Sequence, residues 1–179
     1  MSHSRTPDGT ERRAATEFRA VAGRRLEGHA AVFGVPAKIG GFTEVILPGA
    51  FRASLASRAD IVALVDHDPG RLLARTLSGT LRLAEDARGL AFSIDVPDTT
   101  LGRDILALAE RGDLGGCSFS FRAKDDAWPA PDRRELRGVE LLEVSVVCAW
   151  PAYPTTTVHA RSRARQGDAL ARRRFLETM

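Results

Sequence analysis

The chain contains the stretch Gly115-Gly116-Cys117-Ser118-Phe119-Ser120-Phe121, in which small or hydroxyl residues alternate with bulky apolar ones. In an extended strand successive side chains point to opposite faces, so the two serines share one face and the cysteine and phenylalanines share the other. The bulky face predicts packing into a core, and the serine face predicts a cleft or solvent. The preceding glycine pair permits a close approach by another segment and leaves backbone N–H groups for a ligand.

A serine hydroxyl needs a base before it can act as a nucleophile. The sequence offers one in Leu64-Val65-Asp66-His67-Asp68, where an apolar strand ends in a histidine. Of the other histidines, His3 lies in the polar N-terminal region, His29 in a predicted strand and His159 after the predicted fold. We expect His29 to be a structural residue with a satisfied side chain.

Length and composition favour one globular domain, because 179 residues with 44% hydrophobic content can bury a core. No apolar run approaches the roughly 18 residues that a membrane span needs, and residues 1–13 lack the apolar region of a secretory signal. Two widely spaced cysteines, Cys117 and Cys148, predict reduced thiols in a cytoplasm. Their number and spacing exclude a cysteine metal site, and no cofactor or metal is predicted.

The net charge of +3 resides in the two ends of the chain. Residues 161–179 hold six arginines and two acidic residues, whereas residues 14–160 hold 17 basic and 19 acidic residues. A body with a net charge of −2 argues against nucleic acid as a partner. We therefore predict a disordered leader over 1–16, one domain over 17–160 and a basic, solvated tail over 161–179.

Period-two alternation and turn residues predict many short strands, and helical spacing predicts two helices. The clearest features are a hairpin over 79–96 and a helix over 101–111, which follows a loop with capping residues over 97–100 and ends at Gly112. Polar or Pro-bearing loops are predicted over 36–41, 66–70 and 125–134. Further strands are predicted over 28–34, 43–47, 61–65, 117–122, 137–139 and 141–149, with a helix over 50–58. This order favours an α+β fold with a mostly antiparallel sheet or barrel.

An ordered set of motifs over about residues 20–160 resembles the prohead proteases of tailed phages and phage-like gene transfer agents. The motifs are Gly28-His29-Ala30-Ala31-Val32-Phe33, Ile46-Leu47-Pro48-Gly49-Ala50-Phe51, Leu64-Val65-Asp66-His67-Asp68, Gly79-Thr80-Leu81-Arg82-Leu83, Arg111-Gly112-Asp113, Ser118-Phe119-Ser120-Phe121, Leu142-Glu143-Val144-Ser145-Val146-Val147 and Pro151-Ala152-Tyr153-Pro154. The resemblance implies a serine endoprotease with a fold related to herpesvirus assemblin, a β-barrel surrounded by helices. It also implies cleavage of scaffold segments, and often of the protease itself, inside the immature capsid.

Carried over by position, the resemblance implies His67 as the base, Ser118 as the nucleophile and Glu143 as the third member. His159 is the alternative third member, because assemblins use a second histidine. The family usually has glycine where this chain has Ser120, so a second serine shares the face of the implied nucleophile. Asparagine is common before the histidine, where this chain has Asp66, whose charge would favour a protonated imidazole.

The function predicted from the resemblance is trimming of the N-terminal scaffold segment of the major capsid protein, and of the protease itself, in a capsid within the host cytoplasm. Self-association is a further expectation, and no membrane partner is expected. The alternative is an inert capsid-assembly module that works through its basic tail. A general hydrolase is disfavoured, because Gly116-Cys117-Ser118-Phe119-Ser120 lacks the last glycine of a nucleophile elbow. Cys117 is expected to be a small buried residue, and backbone N–H groups near Gly115 and Gly116 are candidate oxyanion donors.

Overall fold

A computed structural model describes residues 8–15, 17–21 and 24–149. The described elements are eleven strands and two helices: β1 (Glu11–Ala15), β2 (Glu17–Val21), β3 (Arg25–Val32), β4 (Ala37–Ile39), β5 (Phe42–Ile46), α1 (Arg52–Ala56), β6 (Val62–Val65), β7 (Asp68–Arg75), β8 (Leu81–Glu85), β9 (Gly89–Asp95), α2 (Thr100–Arg111), β10 (Gly116–Ala130) and β11 (Arg133–Val147). Within these residues, no helix has the length and apolar character needed to cross a membrane.

The strands form two sheets, and the larger one carries the serine strand. Its order is β1-β10-β11-β5-β4, with β6 pairing β11 farther along that long strand and β7 pairing β6. Most pairings are antiparallel, but β11 runs parallel to both β5 and β6. The smaller sheet has the order β2-β3-β9-β8 and contains the predicted hairpin, β8 with β9.

The core contains the apolar face of the serine strand, as the alternation predicted. Phe119 and Phe121 are both fully buried and stack with ring centroids 5.3 Å apart, while Phe51 packs edge-on against Phe119. Val144 and Val146 of β11 join the same cluster. This packing fixes the position of β10 and β11, and therefore of the polar side chains on their opposite face.

Helix α2 follows the predicted pattern at both ends. The Thr99 side chain accepts a hydrogen bond from the Gly102 backbone N–H at 3.1 Å, and Gly112 ends the helix in the left-handed conformation with φ 72°. Ile105 is buried beneath the helix. Short helix α1 supplies the Ser54 hydroxyl, which accepts a hydrogen bond from the Leu141 backbone N–H at 2.9 Å.

The structure corrects four sequence predictions about elements. The predicted loop over 36–41 contains the short strand β4, which pairs with β5. Residues 11–15 of the predicted disordered leader form strand β1, because they pair along β10 and bury Glu11 and Arg13. The predicted loop over 125–134 is instead the end of a hairpin made by β10 and β11, whose polar side chains face solvent except for the buried Arg134. The predicted loop over 66–70 is a turn at Asp66 and His67, after which β7 begins.

The pairings of the described strands give two sheets rather than the single closed barrel that the resemblance implied. Strand β11 changes parallel partner along its length, from β5 at Arg133–Leu136 to β6 at Glu143–Val146, so the larger sheet branches at this strand. The coarser prediction, a mostly β fold with a few helices and largely antiparallel pairing, is confirmed.

Candidate active site

The β10–β11 hairpin sets the serine face opposite a carboxylate. In its register Ser118 lies opposite Ser145, and Ser120 lies opposite Glu143. Because side chains directly opposite in an antiparallel pair share a face, these four residues form one polar cluster. All four are buried, which is unusual for hydroxyl and carboxylate groups and requires hydrogen-bond partners.

A β-bulge shapes this cluster. The register shifts between Ser120 and Phe121, so Leu142 of β11 has no residue directly opposite it. Leu142 and Glu143, although adjacent in sequence, therefore both line one cleft. Bulges commonly redirect a side chain beside a functional site.

A strained turn holds His67. Strands β6 and β7 are joined by Asp66 and His67, whose φ angles are +53° and +61°. Such values are uncommon for residues other than glycine and persist where surrounding contacts enforce them. The Asp66 carboxylate supplies these contacts, because it accepts hydrogen bonds from the Cys148 backbone N–H and from Arg71, each at 2.8 Å. Asp66 thus anchors the turn.

The turn brings the imidazole of His67 onto the carboxylate of Glu143, with Nδ1 in contact with Oε1. The same oxygen accepts hydrogen bonds from the hydroxyls of Ser120 at 3.0 Å and Ser145 at 3.2 Å. Burial works to raise the pKa of Glu143, but the His67 contact and the two hydroxyls lower it on balance. Glu143 is therefore an ionised carboxylate held by an imidazole and two hydroxyls.

Ser118 lies on the same face, but its hydroxyl has another partner. Its Oγ donates a hydrogen bond to the Arg13 carbonyl oxygen of β1 at 2.7 Å. The structure thus joins His67 with Glu143 and brings Ser120 to the same carboxylate, while the Ser118 proton is donated to β1. Ser118 remains two residue pairs along the hairpin from Glu143, opposite Ser145.

Several other residues from the sequence analysis have clear positions. Cys117 is buried on the core face, and burial raises the pKa of its thiol to about 12. His29 contacts Asp86 at 2.8 Å, as expected of a satisfied structural histidine, and this contact lowers the pKa of Asp86 to about 2. His159 lies outside the described residues, as do His3 and the segment 151–179.

Gly115 allows two backbone segments to pack closely against each other. Its backbone N–H donates to the Val147 carbonyl oxygen at 2.8 Å, which occupies that donor. A Cβ at this position would overlap the carbonyl of Ala149, so the strand approaches as closely as it does because residue 115 is glycine. The prediction that the Gly115 backbone N–H is an oxyanion donor is therefore wrong, and the same role for Gly116 stays a prediction.

A cleft of about 360 Å³ opens beside the cluster. Ser120 and Glu143 form its polar end. The walls include Val62 and Leu64 of β6 and Leu72 of β7, and the two arginines that line it are Arg12 and Arg75. The cleft is therefore apolar on one side and cationic at its rim. Within the described residues, no group of three or more His, Cys, Asp or Glu side chains is arranged to hold a metal ion.

On the opposite face of β10 lies a charged network that the sequence analysis missed. Arg13 bonds both oxygens of Glu44, at 2.6 and 2.8 Å, and also Glu11. Arg134 bonds Glu11, Glu44 and the half-buried Asp126. No local pattern indicates this network, because its members lie on four strands and are up to 123 residues apart.

The family follows from comparison with known proteins. Residues 11–171 match the family model described as caudovirus prohead serine protease, so the chain belongs to that family. The chain is 33% identical over 130 residues to a protein named prohead protease from Enterobacteria phage HK97. That similarity covers 71% of this chain and 55% of the relative, so the chain spans about half the length of the curated relative. No solved structure matches the chain.

Proposed function

We propose that the chain is a serine endopeptidase of prohead maturation, with Ser118 as nucleophile, His67 as general base and Glu143 as the residue that orients the imidazole. The observation that carries the proposal is the contact between His67 Nδ1 and the buried carboxylate of Glu143, beside a strand with two serines. Family membership supports the same reading. The relation to herpesvirus assemblin stays a prediction from the resemblance.

Register favours Ser118 over Ser120 as the nucleophile. Along the sheet, Val146 pairs with Val65 and its carbonyl accepts from the Asp66 N–H, so the His67 turn lies beyond the Ser118–Ser145 pair. To reach Glu143, the imidazole extends back past that pair. With Nδ1 on the carboxylate, Nε2 is the nitrogen left to accept a proton. Ser120 already donates its proton to the carboxylate oxygen that Nδ1 contacts.

The proposed reaction begins when the Ser118 hydroxyl turns from the Arg13 carbonyl toward the imidazole. His67 Nε2 takes the proton as Oγ bonds to the scissile carbonyl carbon, and then gives it to the departing amine as the C–N bond breaks. In deacylation, His67 takes a proton from water as the water oxygen attacks the acyl carbon, and Ser118 regains a proton on release. Glu143 stabilises the imidazolium in both halves. The backbone N–H of Gly116 is the proposed oxyanion donor.

The proposed substrate is the N-terminal scaffold segment of the major capsid protein, with the protease itself as a second substrate. The work is proposed to occur inside the immature capsid in the host cytoplasm. High local concentration there would also favour self-association by mass action.

The alternative is an inert assembly module that acts through the basic tail over 161–179. One observation favours it: the Ser118 hydroxyl donates to a backbone carbonyl and not to the imidazole. Hydrogen bonds of catalytic groups are often unformed before substrate binds, which is why the protease is the preferred proposal.

Co-expression with a major capsid protein from the same source tests the proposal. The full chain is compared with Ser118→Ala, Ser120→Ala and Cys117→Ala, and capsid-protein products are measured by intact mass. We expect a discrete N-terminal truncation that Ser118→Ala alone abolishes. If Ser120→Ala alone abolishes it, the nucleophile is Ser120 and not Ser118, two residues away on the same face of β10. If even the unsubstituted chain leaves the capsid protein whole in normal shells, the inert module is correct.

A further inference from the structure

The cleft beside the catalytic cluster has an apolar side that is open to solvent. Val62 and Leu64 belong to β6, whose next residues lead into the His67 turn, and Leu72 lies across from Leu64 on β7. Leu72 is 43% exposed despite its size. Leu142 reaches the same cleft because of the bulge. An aliphatic side chain entering here would cover the exposed Leu72 and the partly buried Val62 and Leu142. Leu64 is already buried and offers a packing surface.

The two arginines of the cleft differ in their partners. Arg75 forms an ion pair with Asp60, which offsets its charge. The bond described for Arg12 runs from its Nε to the neutral hydroxyl of Ser120, at 3.3 Å. Arg12 is also exposed. Of the two guanidinium groups that line the cleft, Arg12 is therefore the one whose described partner carries no opposite charge.

The Glu143 carboxylate is buried and bonded to His67 and two hydroxyls, whereas the Arg12 side chain is exposed to an acidic ligand. A volume of about 360 Å³ is enough for a few side chains of an extended peptide, and alternate residues of such a peptide lie roughly 6–7 Å apart. One short segment can therefore fill the apolar side and reach Arg12.

We propose that this cleft selects substrate segments that carry an aliphatic side chain close in sequence to an acidic one. The aliphatic group packs on Val62, Leu64 and Leu72, and the carboxylate pairs with Arg12. The inference rests on the proposed function, since it names the peptide class for the same site.

Binding to the full chain with Ser118→Ala tests this selectivity without catalysis. The probes are fluorescein-labelled hexapeptides with Leu and Glu separated by none, one or two alanines, and matched sets with Leu and Lys or with Ala and Glu. Fluorescence anisotropy gives each dissociation constant. We expect at least one Leu–Glu spacing to bind about tenfold more tightly than both matched peptides.

Charge reversal at Arg12 makes the test specific. In the Ser118→Ala background, Arg12→Glu should invert the preference between Glu and Lys and keep the preference for Leu over Ala. Arg12→Lys should keep both preferences. Arg103→Glu, at an exposed position of α2 that does not line the cleft, is the charge control and should change neither preference. Thermal melting of each variant checks that it is folded.

Two results overturn the inference: Leu–Glu peptides that bind no more tightly than their matched sets, or an unchanged preference in folded Arg12→Glu. Mapping the cleaved bond in the capsid protein separates this inference from the proposed function. Cleavage at a segment without an aliphatic and acidic pair would agree with the proposed protease function but would contradict the proposed selectivity of the cleft. Selective peptide binding without any trimming of the capsid protein would support the selectivity of the cleft and contradict the proposed protease function.

Discussion

Two buried polar clusters lie on opposite faces of β10, and only one has the properties of a site. The network of Glu11, Arg13, Glu44 and Arg134 joins full charges of both signs through bonds of 2.6 to 3.1 Å. The cluster around Glu143 joins one carboxylate to a titratable imidazole and two hydroxyls, and it opens on a cleft. Buried polarity alone thus does not mark a site. A proton that can move and access for a substrate distinguish the second cluster from the first.

The largest difference between the two clusters should appear in the rate of cleavage. Replacing Ser118 or His67 by alanine should reduce capsid-protein trimming by about 10³–10⁶-fold, because the proposed acyl transfer would lose its proposed nucleophile or base. Quantitative mass spectrometry of timed digests measures this. Melting temperatures close to that of the unsubstituted chain would show that the loss is chemical, whereas a rate loss that tracked unfolding would contradict the assignment.

Glu143→Gln should have the next largest effect, lowering kcat by about 10²–10⁴-fold. A glutamine can turn its NH₂ toward Nδ1, and then the imidazole is held in the tautomer that cannot take the Ser118 proton. Steady-state kinetics on the capsid protein gives kcat and KM separately. A variant in which only KM rises would mean that Glu143 serves binding and does not orient the base.

Arg13→Met should act on stability. It removes one of the two arginines that bond the buried carboxylates of Glu11 and Glu44 and leaves Arg134 to hold both, which costs about 3–5 kcal/mol in the free energy of unfolding. Urea unfolding at pH 7 measures the change. Arg19→Met on neighbouring β2 is the matched control, since the Arg19 side chain is 79% exposed, and should change stability by less than about 0.5 kcal/mol. Equal effects of the two variants would contradict the structural role of the network.

Acid should weaken both clusters in the same direction. The pKa values of Glu143 and Glu11 are lowered from 4.5 in the folded chain, so their stabilising contribution is present above pH 4.5 and is lost as pH falls through the lowered values. The urea concentration at the unfolding midpoint should therefore decrease as the pH is lowered from 5. Glu143→Gln should show a shallower fall, and an unchanged slope would contradict the lowered pKa of Glu143.

The smallest effect is expected at Cys117, which adjoins Ser118 in sequence but faces the core. Because burial raises the pKa of its thiol to about 12, it should resist iodoacetamide in the folded chain at pH 7.5. Cys117→Ala should retain trimming. Rapid alkylation, or a loss of trimming as large as that of Ser118→Ala in a folded variant, would place Cys117 in the reaction.

The sequence was informative where local pattern decides structure. Alternation predicted which face of 117–121 packs into the apolar core, and the residues flanking 101–111 predicted both ends of α2, because each depends on nearest neighbours. The resemblance supplied His67 and Glu143, which the structure joins. Their roles, and that of Ser118, stay predictions.

What the sequence did not indicate depends on contacts between distant segments. The bulge at Leu142 follows from how β10 and β11 pair, and the charged network joins strands that have no local relation. The far half of the β10–β11 hairpin looked like a loop because it extends beyond the core, so its polar residues carry no apolar alternation. The bond from Ser118 to the Arg13 carbonyl was missed because residues 1–16 were predicted to be disordered.

The most direct test of the central claim is reaction of the full chain with a fluorophosphonate, followed by fragment-ion mapping of the tryptic peptide over 112–122, which holds both serines. The account predicts phosphonylation at Ser118 and its loss in His67→Ala. A modified Ser120, or a chain that trims the capsid protein while neither serine reacts, would contradict it.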